Sequence, residues 1–232
     1  MRATACLALI SLVIGGGLMA LPQTPAKKGW VDRFDVDKKA FVSVGANDYF
    51  RLEPGWVLVL EKAKERLVIT VLDETRLVDG VETRIVEERE TKGGQLVEIS
   101  RNFFAFNTAD RGVYYFGEEV DIYKNGKVVR HEGAWESGKN GARFGLMVPG
   151  RPQVGARFYQ EVAPGVAMDR AKIVALDASL RTPAGEFKGC LEFVETTPLE
   201  PFARDTKIYA PGVGLVRDGS LLLVEYGRKE KK

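Results

Sequence analysis

The sequence predicts an all-β fold: one antiparallel, up-and-down meander of about 10–12 strands, closed into a barrel or curled into a half-barrel. Three observations predict it. Apolar and polar residues alternate with period two over most of the chain, and Val, Ile and aromatics fill the apolar positions. Turn signals recur about every 8–12 residues. Beyond the first 26 residues, no comparable window carries helical spacing.

In order, Arg2 precedes an unbroken apolar or small run from Ala3 to Leu21, with small residues near Ala20 and Ala26. A basic start, an apolar centre and small residues at a cleavage point mark a secretory signal peptide, read here as residues 1–26. The competing reading is an uncleaved anchor, because the run approaches the ~18 residues that a spanning helix needs. Gly15, Gly16 and Gly17 interrupt it, each weakening a helix by about 1 kcal/mol. The expectation is export, periplasmic or extracellular, with an N-terminal membrane anchor if the segment stays uncut. Cys6 lies before the apolar centre, where a lipoprotein signal would place its cysteine after it. That leaves Cys190 unpaired, a small buried hydrophobe in a strand.

Residues 27–48 read as an arm that lies on the domain or forms a short edge strand, docked by Trp30, Phe34 and Phe41. Asp32, Asp35 and Asp37 are its only candidate metal ligands. The glycine and terminal glutamate of a calcium loop are missing, so a solvated acidic loop is the expectation. The β domain is placed at 49–227 and a basic tail at 228–232. Strand runs begin after Pro54-Gly55, at 55–63, 66–74, 81–91 and 96–107. Lys92-Gly93-Gly94-Gln95 and Lys124-Asn125-Gly126-Lys127 read as tight hairpin turns, which need positive φ at both central residues. Residues 136–155, rich in Gly and Pro, read as a lid or binding loop with an apolar centre at Phe144, Leu146, Met147 and Val148. Strands resume at 156–165, 167–182, 185–197, 203–212, 213–219 and 220–227.

Charge excludes one class of partner. Lys and Arg total 34 against 32 Asp and Glu, a net of +2, with no basic face for nucleic acid. Chemistry is limited too. There is one histidine, His131, no nucleophile elbow, and too few His and Cys for zinc. His131 and Glu132 are strand neighbours that point to opposite faces, so a structural histidine is expected. Paired carboxylates are the remaining enzymatic design: Glu119 and Asp121 share a strand face, and Glu161 and Asp169 flank the Ala163-Pro164-Gly165 turn, a spacing that lets them converge. Aromatic and apolar residues offer a lining for an apolar ligand, with Tyr115, Phe116, Tyr123, Trp135, Phe144 and Met147 as candidates. The alternative is that they fill the interior.

Several motifs carry a resemblance. They are Asn47-Asp48-Tyr49-Phe50-Arg51-Leu52 with Pro54-Gly55, Tyr115-Phe116-Gly117-Glu118-Glu119-Val120, Glu132-Gly133-Ala134-Trp135 and Tyr209-Ala210-Pro211-Gly212-Val213-Gly214. On these the chain resembles a family of bacterial exported β-proteins that has no assigned activity. The resemblance implies export and a β-rich fold and carries no catalytic residue. The ending, from Thr182-Pro183-Ala184-Gly185 to Tyr209-Ala210-Pro211-Gly212, is similar to that of periplasmic half-barrel lipoprotein carriers, whose curved sheet shelters acyl chains. Three readings stay open: binding of a lipid-like or other amphipathic ligand without any cofactor, contact with an envelope protein partner, and carbohydrate chemistry on paired carboxylates.

Overall fold

Alternating residues become strands over most of the described residues. A computed structural model describes residues 29–131 and 133–229. The expected signal peptide and the last three residues of the basic tail lie outside them. A short β1 (Phe41–Val42) precedes five long strands: β2 (Trp56–Lys62), β3 (Glu65–Val78), β4 (Val81–Lys92), β5 (Gln95–Asn107) and β6 (Val113–Lys124). The middle of the chain is broken into short pieces: β7 (Lys127–Arg130), β8 (Trp135–Glu136), β9 (Arg143–Val148), β10 (Arg157–Tyr159) and β11 (Glu161–Val162). Regular strands return as β12 (Arg170–Thr182), β13 (Gly185–Thr196), β14 (Arg204–Ala210), β15 (Gly214–Asp218) and β16 (Leu221–Arg228). The only helical turn among the described residues is a 3-10 turn at Lys38–Ala40, capped by the Asp37 side chain.

The strands pair antiparallel in the order β10-β12-β13-β14-β15-β16-β2-β3-β4-β5-β6-β9-β11, a wall of thirteen nearly closed into a barrel. The wall holds one strand more than the longest meander expected; the single strand read at 156–165 is two, β10 and β11, divided at Gln160. Its first and last strands zip together, Trp56 opposite Arg228 and Leu60 opposite Leu223. Arg228, read as tail, is thus the end of the wall, and Lys229 donates its N–H to the Gly55 carbonyl at 2.9 Å.

The seam falls in the middle of the chain. β10 holds to β12 at one edge, β11 holds to β9 at the other, and Gln160 alone separates β10 from β11. One residue therefore joins the two edges covalently. Gly145 in β9 makes this approach feasible: a Cβ there would stand 2.3 Å from the Gln160 carbonyl carbon and oxygen.

Both predicted hairpin turns form as expected, with φ of 60° and 79° at Gly93 and Gly94 and 52° and 73° at Asn125 and Gly126. The lid expected at 136–155 is instead part of the wall. Residues 143–148 are β9, paired with β6 and β11, and the backbone hydrogen bonds of those pairings fix them in place.

Residues 45–55 cover one end of the barrel in the lid's stead. Asn47 Nδ2 donates to the Arg111 carbonyl, Tyr49 Oη to the Gly189 carbonyl, and Arg51 Nε to the Gly212 carbonyl. Leu52 beneath them is fully buried. The arm behaves as expected. Phe41 meets Tyr114 and Phe116 edge-on at 5.2 Å, and with Phe34 it seals a second apolar layer on the outer face of β3 to β6. Burying a phenylalanine this way is worth roughly 1.5–3 kcal/mol, enough to hold an arm with few strand pairings of its own.

Candidate functional site

Strand alternation decides what faces the barrel interior. Partners directly opposite share a face, so Leu60 with Leu67, Ile69 with Glu88, and Glu88 with Ser100 form an inward row across four strands. Along each strand that row changes character. Toward the covered end stand Leu58, Ile69, Val71, Val86 and Phe104, under Phe50 and Trp56. Toward the open end stand Glu88, Glu90, Glu98, Ser100 and Asn102.

A bulge in β6 adds the next wall. Phe103 pairs with Gly117 and Phe104 with Tyr115, so Phe116 is an extra residue that breaks the alternation. Tyr115 and Glu118, three apart, then both face inward. Gly117 adopts φ of 149°, and a Cβ there would lie 2.4 Å from the Trp135 carbonyl, so glycine admits β8 alongside. Tyr115 stacks on Phe104 at 4.7 Å and donates its hydroxyl to Asn102 Oδ1 at 2.5 Å.

The open end is a cavity of about 350 Å³. Four glutamates from β4, β5 and β6 (Glu88, Glu90, Glu98 and Glu118) face Glu161, Asp169, Glu195 and Asp218 from the remaining wall. One cation, Lys207, stands among these eight carboxylates, 3.5 Å from Glu195 and 3.4 Å from Asp218. Burial opposes its charge, but these two anions together with Tyr209 and Glu88 outweigh it and hold Lys207 protonated well beyond the ordinary lysine range. Burial, with repulsion from Asp218, Glu90 and Glu118, pushes Glu88 up to about 7 despite Lys207. Burial pushes Glu118 up to about 7 as well, with Glu98 and Asp169 adding repulsion. Glu161 is the most enclosed, 6% exposed, and burial with its neighbours Glu118 and Asp169 holds it well above the carboxylate range.

Three deeply buried polar atoms around this lumen have no hydrogen-bond partner: Gln160 Oε1, Tyr209 Oη and Trp135 Nε1. Gln160, 3% exposed, commits its amide N–H groups to Glu195 Oε1 at 2.7 Å and Met147 Sδ at 3.5 Å, leaving the carbonyl oxygen bare. The Trp135 indole N–H favours the ionised forms of Glu118 and Glu161 but falls short of hydrogen-bonding either.

The structure divides the residues singled out from sequence. Tyr115 and Met147 line the lumen, and Trp135 backs Tyr115 edge-on at 5.3 Å. Phe116 and Phe144 stack on each other at 4.9 Å in the outer apolar layer, and Tyr123 lies in an outer groove, so none of these three reaches the lumen. Of the carboxylates, Glu161 and Asp169 are both inside, brought together on the lumen. Glu119 and Asp121 do share a face, the outer one: Glu119 pairs with Arg76, and Asp121 Oδ1 lies 2.6 Å from His131 Nδ1. Asp32 pairs with Arg143, and among the described residues no group of three or more His, Cys, Asp or Glu is gathered to hold a metal. Glu88, Glu118, Glu195 and Lys207 were not singled out. Period two gave their relative faces, and only barrel closure tells which face is inside.

No family model, curated protein or solved structure matches this chain.

Proposed function

We propose that the barrel binds a small amphipathic molecule, its apolar part toward the covered end and its polar part among the carboxylates. The observation that carries this reading is the continuity of the two regions: Glu88, Phe104, Met147 and Lys207 border both. A lumen graded from apolar to charged orients a molecule that is graded the same way. Size narrows the ligand. The apolar chamber is about 50 Å³, well below the ~150 Å³ cavity that admits benzene, so it takes a short alkyl group rather than the acyl chains of a lipid carrier. Export to the cell envelope belongs to the same proposal and rests on the leader-like residues 1–26.

Native mass spectrometry of the full chain from its own host tests the reading. A passenger mass that leaves on denaturation is the expected result. Met147→Trp, which narrows the neck between the two regions, abolishes the passenger while the thermal melt stays cooperative. A bare wild-type chain overturns the proposal.

A further inference from the structure

We infer that the ligand of this lumen is an organic cation, an ammonium carried on a short alkyl frame. The inference rests on the binding reading above and adds the chemical class. Lys207 answers Glu195 and Asp218. No lysine or arginine among the described residues forms an ion pair with Glu88, Glu118 or Glu161, although Glu118 repels both of the others across one lumen. Buried charge without a counter-charge is costly, and a bound cation relieves that cost.

A second observation points to a donor. The Gln160 carbonyl oxygen is buried and unpartnered, and it stands beside the carboxylates with both its own N–H groups already used. Only a hydrogen-bond donor satisfies it, and an ammonium brings up to three. The stacked pair Phe104 and Tyr115 offers aromatic faces to the same charge. The carboxylates are spread around the wall rather than gathered into a ligand set, which suits an extended organic cation better than a compact metal ion.

Acid opposes this binding. Glu118 is faced by Glu98 on β5, by Glu161, by Asp169 and by the Tyr115 and Trp135 side chains. Glu88 is faced by Lys207, Asp218, Glu90 and Glu118. Protonating the two glutamates removes the charge that attracts the ligand.

Calorimetric titration of the full chain with n-butylammonium, n-butanol and n-butyrate at about pH 8 separates the outcomes. Butylammonium is expected to bind at least about tenfold tighter than butanol, and butyrate not at all. Glu118→Gln and Gln160→Leu each weaken butylammonium by about tenfold, and so does acidification to about pH 5. Butanol binding as tightly as butylammonium overturns the cation inference and leaves the binding reading standing. Silence from all three probes overturns both.

Discussion

Single residues carry the most informative tension in this molecule. Tyr209 is 1% exposed, and its hydroxyl has no partner in a wall that otherwise packs Phe193 against it at 5.2 Å. A buried hydroxyl without a partner bears its desolvation cost uncompensated. Tyr209→Phe is therefore expected to leave stability unchanged or to raise it by up to about 1 kcal/mol, measured by urea unfolding of the ligand-free protein. A loss above about 2 kcal/mol would show that the hydroxyl has a partner after all. This scale was the least legible in the sequence. Glu118 and Glu119 are neighbours of the same type, yet one faces the lumen and the other an arginine on the outside. That they point opposite ways follows from strand alternation, but which of them joins Tyr115 on the inner face is set by the bulge at Phe116 and Gly117, which period-two reasoning steps over. Lys207 gave no signal, because a lysine in an alternating strand reads as solvated until the strand opposite supplies Glu195 and Asp218.

At the scale of elements, hairpins were the most legible features, since their turns depend on two adjacent residues. Gly93-Gly94 and Asn125-Gly126 were read correctly. Asp79-Gly80, with φ of 50° and 77°, makes a third turn of the same kind that ends a β3 longer than expected. The middle of the chain was misread at 136–155, where the six residues of β9 lie among glycines and prolines, and the strand read at 156–165 is split into two short ones. Their order comes from pairing with distant strands, which no local window contains. Gly145 shows what that pairing demands. Gly145→Ala thrusts a methyl group into the Gln160 backbone and is expected to cost more than about 2 kcal/mol, read by denaturant unfolding. Hydrogen exchange should then quicken at Glu161 and Val162 before it does in β3 to β5. Unchanged stability would mean the seam is looser than this geometry.

For the whole molecule, the acidic lumen sets how stability varies with pH. Glu88 and Glu118 rise to about 7 in the folded chain from an ordinary 4.5, so the folded state holds protons that the unfolded state releases. The stability tied to those protons is fully present below 4.5 and is lost as pH rises through about 7. Glu65 runs the other way. The hydrogen bond from Lys92 lowers its pKa, so its contribution is lost on acidification below the ordinary range. The ligand-free protein is thus expected to melt several degrees higher at about pH 5 than at about pH 8. That follows from about 1 kcal/mol per lumen glutamate, discounted for solvent, at roughly 2–4 °C per kcal/mol. A double Glu88→Gln, Glu118→Gln variant flattens the profile. A wild-type melting temperature that falls on acidification would contradict the lumen electrostatics. The all-β barrel itself was legible from period and turns, because those cues repeat along the chain and reinforce one another.

The zip between the first and last wall strands also bears on how the molecule comes into being. Trp56 and Arg228 meet from near opposite ends of the described chain, a contact of long sequence separation of the kind that slows folding. During synthesis β16 emerges after all the other strands. Until then β2 presents a free edge of Val57, Leu58, Val59 and Leu60 to any other extended chain. The nascent protein therefore has a window in which it is prone to aggregation, and that window shuts when Leu221–Arg228 arrives.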